Sequence, residues 1–194
     1  MADPQPNQGT GLVSSRHIYR GRVVDLSVDR VRLPNGNVTE LEMIRHPGAA
    51  VALPIETSED GLTYALLVRQ YRYAADGWLL EVPGGKLDGH EDPEACARRE
   101  IVEEIGMEAG ELVGLGSILT TPGFTDERIW LYLARDLKPV GEGPALEADE
   151  VLEVERIPLD EAFSMATDGR ITDAKTVASL LRAAALFADG RGVR

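Results

Sequence analysis

The stretch from Leu80 to Met107, LEVPGGKLDGHEDPEACARREIVEEIGM, constrains this chain more than any other. An apolar extended run stops at Pro83-Gly84-Gly85, where two glycines permit positive φ and a close backbone approach that a Cβ would block. Asp92 is a favoured N-cap, and Pro93 brings the φ that a first helical residue needs. Ala97, Ile101 and Ile105 recur at helical spacing and predict an amphipathic helix that ends at Gly106, a natural left-handed C′ residue. Glu94 with Arg98, and Arg99 with Glu103, stand at the i,i+4 spacing of helical ion pairs. The same helix carries Glu100, Glu103 and Glu104, and the i, i+3, i+4 pattern puts three carboxylates on one face. Their mutual repulsion calls for a cation, and magnesium or manganese suits an all-oxygen donor set.

The remaining chain predicts strands around that helix. Residues 1–14 are polar and rich in Pro, Gly and Gln, and are expected to be a disordered leader. Residues 15–46 read as a small β-hairpin subdomain that turns at Leu33-Pro34-Asn35-Gly36-Asn37, since Asn-Gly is a strong hairpin signal. An uncovered sheet of this kind invites pairing with a second copy, so a homodimer is expected. Residues 47–190 read as the main domain. Ala49 to Ile55 is wholly apolar, the mark of a strand buried on both faces. Further strands are expected over Thr63–Val68, Trp78–Val82, Glu111–Thr121, Arg128–Leu133 and Val151–Ile157, with helices after Pro158 and after the capping Asp173. The sum is a mixed α/β (α+β) protein with three helices.

Composition narrows the classes of function. The 194 residues suffice for one domain with a sizeable core and a small appendage. A formal net charge of -13 argues against a duplex nucleic-acid partner, which would need a basic footprint. There is no apolar run of the roughly 20 residues needed to cross a bilayer, so no membrane role is expected. A single cysteine, Cys96, suits a reducing cytoplasm and reads as a packing residue.

The central stretch resembles the Nudix hydrolase signature, G-x5-E-x7-R-E-U-x-E-E-x-G-U with U a bulky aliphatic residue. Gly85 is followed after five residues by Glu91, and seven more lead to Arg99-Glu100-Ile101-Val102-Glu103-Glu104-Ile105-Gly106-Met107, so every specified position matches. The resemblance implies a mixed sheet between helices and hydrolysis of a nucleoside diphosphate linked to another group, with Mg2+ or Mn2+. Carried over by position, Glu100, Glu103 and Glu104 would be catalytic metal ligands, joined by the backbone carbonyl of Gly84. Arg99 would orient those carboxylates, and Glu91 would support the loop. Hard cations on a pyrophosphate screen its charge and acidify water, which suits that assignment.

The flanks resemble the ADP-ribose pyrophosphatase branch of the family. Its features here are the hairpin before the core, Pro122 placed fifteen residues beyond Met107, and Arg69-Gln70-Tyr71-Arg72. By this resemblance Arg72 would contact the pyrophosphate or terminal ribose, and Glu127 would bond ribose hydroxyls. Pro122 and Gly123 would shape the substrate loop, and Arg45 would reach across a dimer. The proton acceptor is expected in the acidic loop Glu142 to Glu150, where Glu147, Asp149 and Glu150 are candidates and Glu150 is favoured because it adjoins the last strand. The expected reaction is hydrolysis of ADP-ribose, or a related nucleoside diphosphate sugar, to AMP and ribose 5-phosphate. The alternatives are GDP-mannose, a dinucleoside polyphosphate or NADH as substrate, or a non-catalytic module that senses nucleotides.

Overall fold

The computed structural model describes residues 9–141, 143–144 and 151–189. These fall into two compact units, one formed by the chain up to His46 with Leu119–Glu127, the other by Pro47–Ile118 and the chain from Arg128 onward.

In the first unit, β1 (Gly11–Arg20), β2 (Asp25–Arg32) and β3 (Val38–Arg45) make an antiparallel sheet in that order. The expected hairpin is β2–β3, and its turn closes with the Leu33 N–H donating to the Asn37 carbonyl at 2.8 Å. β1 takes up the start of the expected β subdomain, but it begins at Gly11, inside the stretch read as a leader. All ten of its residues are exposed, so it lacks the alternation by which a half-buried strand is recognised. The 119–127 segment joins the unit through the Ile44 N–H, which donates to the Phe124 carbonyl at 2.8 Å.

The second unit is built on β4 (Ala49–Thr57). With β5 (Thr63–Arg72), β6 (Gly77–Glu81), β7 (Gly84–Lys86), β8 (Met107–Leu119), β9 (Arg128–Pro139) and β10 (Leu152–Pro158), it forms a seven-stranded mixed sheet. The order is β10-β5-β4-β9-β8, with β6 on β5 and β7 on β4. β4 runs parallel to β9 and antiparallel to β5 and β7. Helix α1 (Pro93–Ile105) precedes β8, and α2 (Leu159–Asp168) and α3 (Ala174–Ala188) follow β10.

The apolar run of β4 serves two cores, because successive side chains point to opposite faces of a sheet. Ala49, Val51, Leu53 and Ile55 pack with Leu159 and Ala162 of α2 and Leu180 and Ala183 of α3. Ala50 and Ala52 pack with Cys96, Ala97, Ile101 and Ile105 of α1. The sheet therefore lies between α1 and the α2–α3 pair, which is the mixed architecture the sequence predicts. A fully buried leucine such as Leu53 contributes about 1.5–3 kcal/mol to this packing.

One edge of β4 is divided. Its start pairs with β7 and its end with β5, and between them the Ala52 N–H donates to the Pro83 carbonyl at 3.0 Å. The Pro-Gly-Gly turn is thereby pinned to the middle of the sheet, under the helix that follows it.

Candidate active site

Helix α1 starts where the sequence places it. Asp92 Oδ1 accepts from the N–H groups of Glu94 (2.9 Å) and Ala95 (3.4 Å), and Gly106 closes the other end at φ 66°. The apolar stripe Ala97-Ile101-Ile105 faces the sheet, and Cys96-Glu100-Glu104 is the neighbouring stripe on the same face. Glu100 and Glu104 are consequently buried, at 8% and 4% exposure, whereas the Glu103 side chain lies further round and is 42% exposed.

The glycine turn is shaped to these carboxylates. The Gly84 N–H donates to Glu104 Oε2 at 3.1 Å. A Cβ on Gly85 would stand 2.2 Å from Glu100 Oε1, so the missing side chain makes the space that the carboxylate fills. Gly84 has φ +154°, and a Cβ there would lie 2.4 Å from the Ala50 carbonyl oxygen.

Arg99 supplies the nearest positive charge. Its Nη1 donates to Glu100 Oε1 (2.7 Å) and to Glu103 Oε2 (2.8 Å). Its Nε and Nη2 donate to the two oxygens of Glu91, each at 3.1 Å, and Nη2 also reaches the Lys86 carbonyl at 3.2 Å. Hydrogen bonding to Arg99 holds the Glu91 carboxyl below its ordinary range, and the Glu91 bonds raise Arg99 in turn. Glu91 also accepts from the Asp88 N–H at 3.1 Å, so it fastens the loop to the helix.

As they stand, no three acidic, histidine or cysteine side chains among the described residues are gathered into a closed metal cage. The Arg99 guanidinium bridges Glu100 and Glu103 instead. The donor chemistry nonetheless fits a hard cation, because two buried carboxylates sit side by side on α1 against a backbone turn, an all-oxygen donor set. Cys96 is no rival ligand. Burial pushes its thiol up to about 12, and Sγ–H lies 3.4 Å from the Lys86 carbonyl.

Arg72 ends β5, and its guanidinium is held in a fork. Nε and Nη2 donate to Oε1 and Oε2 of Glu81, both at 2.8 Å. Glu81 is 1% exposed and also accepts from Lys175 Nζ at 2.5 Å. Burial alone would raise the Glu81 carboxyl, but Arg72 and Lys175 outweigh it and hold it below the usual carboxylate range. Asp173 and Glu104 add to the field that raises Arg72, so Arg72 lies within electrostatic reach of Glu104 on α1. Neither Glu81 nor Lys175 was expected from sequence. The available signal was an acid closing the apolar run Trp78-Leu79-Leu80 where a buried aliphatic residue would be ordinary.

Arg45, Pro122, Gly123 and Glu127 lie in the first unit. Arg45 pairs with the buried Asp29 and, at 3.0 Å, with Asp126 Oδ2, so both of its Nη groups meet carboxylates within its own unit. Pro122 and Gly123 belong to the turn in which the Phe124 N–H donates to the Thr121 carbonyl at 3.1 Å. Glu127 Oε2 accepts from Thr120 Oγ1 at 2.8 Å, and Oε1 lies 3.5 Å from His46 Nε2. Glu147, Asp149 and Glu150 lie outside the described residues, as does Glu142.

A glycine turn under a capped helix with an Arg-Glu signature, at the centre of a mixed sheet between helices, defines a Nudix domain. The NUDIX domain family model matches residues 45–180, and the chain belongs to this family. It is 41% identical over 165 residues to a methanol dehydrogenase activator of Bacillus methanolicus, covering 85% of this chain and 87% of that protein. It is 36% identical over 164 residues to an ADP-ribose pyrophosphatase of Bacillus subtilis (strain 168), covering 84% of this chain and 86% of that one. In fold it matches a crystal structure of an ADP compounds hydrolase with a TM-score of 0.76, over 97% of this chain and 100% of the other, at 23% identity.

Proposed function

We propose that this chain is a metal-dependent pyrophosphohydrolase that converts ADP-ribose, with water, into AMP and ribose 5-phosphate. The observation that carries the reading is the pair of buried carboxylates, Glu100 and Glu104, set against the Gly84-Gly85 turn. Glu100, Glu103, Glu104 and the Gly84 carbonyl would hold Mg2+, or Mn2+ in its place. A divalent cation there supplies screening of the pyrophosphate charge and activation of water. Arg99 holds two of the three helix carboxylates in place, and Arg72 offers a fixed cation to a phosphate oxygen. The water's proton would go to a carboxylate of the 142–150 loop, with Glu150 ahead of Glu147, and the P–O–P bond breaks as the new P–O bond forms.

The relative named an ADP-ribose pyrophosphatase supports the choice of substrate, since the two chains match along most of their lengths. We read the protein as a cytoplasmic homodimer, and the exposed apolar residues Leu12, Val13, Ile18 and Tyr19 on β1 support pairing with a second copy. No described helix is long and apolar enough to cross a membrane. A screen of ADP-ribose, GDP-mannose, NADH and dinucleoside polyphosphates with magnesium tests the reading. ADP-ribose should turn over fastest, and excess chelator should abolish that turnover. Activity that survives chelation, or no turnover of any of these compounds, would refute it. The relative named as a methanol dehydrogenase activator favours a second reading, in which the chain acts on a dehydrogenase. Stimulation of such an enzyme without turnover of free sugar nucleotides would decide for that one.

A further inference from the structure

Arg72 is the last residue of β5, followed by a single 3-10 turn at Tyr73–Ala75. A long side chain at a strand end, 43% exposed here, would ordinarily sample many rotamers, and an ion pair there would be loose. Its partner is not a surface residue. The Glu81 side chain is 2% exposed, and both of its oxygens are engaged by the parallel fork. Lys175 closes on Glu81 from α3 and is itself held at 2.9 Å by Asp173 Oδ1, the cap of that helix. Asp173 Oδ2 accepts from the N–H and the hydroxyl of Thr176, and Thr176 Oγ1 accepts from the Val82 N–H at 2.8 Å. The first turn of α3 therefore grips the end of β6 twice, once through the Glu81 side chain and once through the Val82 backbone. Two cations and two anions balance in this cluster, which is what makes a buried carboxylate tolerable. The fork fixes the guanidinium plane and leaves Nη1 without a protein partner among the described residues.

We infer that Glu81, clamped by Lys175 from α3, is a positioning residue that sets the plane of Arg72 so that its Nη1 edge receives the substrate pyrophosphate. This rests on the hydrolase reading above. Glu81 touches no substrate; it acts only through Arg72. An apolar residue at 81 would fill the core equally well, but it would leave the Arg72 guanidinium with no carboxylate fork to fix its plane.

The test compares wild type, Glu81→Gln, Arg72→Ala and the double variant. Each is assayed for ADP-ribose hydrolysis with magnesium and for calorimetric binding of the α,β-methylene analogue, which cannot be hydrolysed. Glu81→Gln should raise both KM and the analogue Kd by roughly ten- to a hundredfold, the range for a misdirected charge-assisted hydrogen bond, with kcat changed less than about threefold. In the Arg72→Ala background the same substitution should add less than about twofold, because a residue that acts through Arg72 has nothing left to position. Unchanged KM and Kd in a folded Glu81→Gln protein, or full additivity with Arg72→Ala, would overturn the inference. If circular dichroism shows Glu81→Gln unfolded, Glu81→Gln combined with Lys175→Met removes one charge of each sign and faces the same two criteria. Wild type that neither hydrolyses ADP-ribose nor binds the analogue refutes the hydrolase reading itself. Equal binding by wild type and variant overturns this inference alone.

Discussion

Gly85→Ala separates the fold from the chemistry. The added methyl carbon would stand 2.2 Å from Glu100 Oε1 and 2.6 Å from its Cδ, where ordinary contact begins at 3.4 Å. The carboxylate must therefore retreat by about 1.2 Å, and it can, because the obstructing atoms are the end of a flexible side chain. Gly85 is not among the positive-φ glycines, so alanine fits its backbone, and the fold should lose less than about 1 kcal/mol, or about 2–4 °C in Tm. A cation site tolerates ligand shifts of only about 0.2 Å, and a misplacement of about 1 Å at a reacting centre costs about a hundredfold. Hydrolysis of ADP-ribose measured against magnesium concentration should show a higher metal midpoint and roughly a hundredfold lower turnover, with the melting curve nearly unchanged. Gly84→Ala should damage the fold itself. Its Cβ would strike backbone, the Ala50 carbonyl oxygen at 2.4 Å and Val51 Cα at 2.6 Å, from a φ of +154°. Strain and overpacking there, each about 1–3 kcal/mol, should lower Tm by several degrees or more. A Gly85→Ala protein with wild-type turnover and metal midpoint would refute the placement of Glu100 at the metal.

Arg99→Met should leave Glu91, Glu100 and Glu103 without the guanidinium that joins them, at a cost of about 1–3 kcal/mol. Millimolar magnesium should restore more Tm to that variant than it adds to wild type, and an equal response from both would contradict the account. The pH dependence has a definite sign. Glu81 and Glu91 are held below their unfolded values, so their contribution is complete above about pH 4.3 and is lost as pH falls through the depressed folded values. Urea melts between pH 7 and pH 3 should show stability falling only on the acid side; a flat profile there would sink the assignment.

How much of this was legible in the sequence depended on whether a residue's role was local. Asp92, Pro93 and Gly106 fix the helix ends through bonds within a turn, and the structure places them where the sequence predicts. The same holds for the Glu94–Arg98 and Arg99–Glu103 pairs, which need only helical spacing. β4 was legible because its two-sided burial leaves a run without polar residues. The start of β1 was not, because residues 11–14 are exposed and run on from the polar stretch read as leader. At the site, Gly84, Gly85 and the carboxylates of α1 share one contiguous stretch. Glu81 and Lys175 meet across ninety-four residues of sequence, and no spacing rule announces such a pair. Arg72 was legible as a cation at a strand end, but the side chain that holds it was not.

The parallel pairing of β4 with β9 also bears on how the chain folds. Its register sets Ala49 against Ile129, so about two fifths of the sequence must be looped out before the central ladder can close. Contacts so distant along the chain form slowly, because their loop entropy is lost before any hydrogen bond is gained. α1 can form early from its own caps, but the wall of sheet beneath it is complete only after β9 arrives. The carboxylate helix is thus an early local structure waiting on a late non-local one. Substitutions in the buried core of β9, such as Leu131→Ala, should therefore delay completion of the sheet on which the carboxylate helix rests.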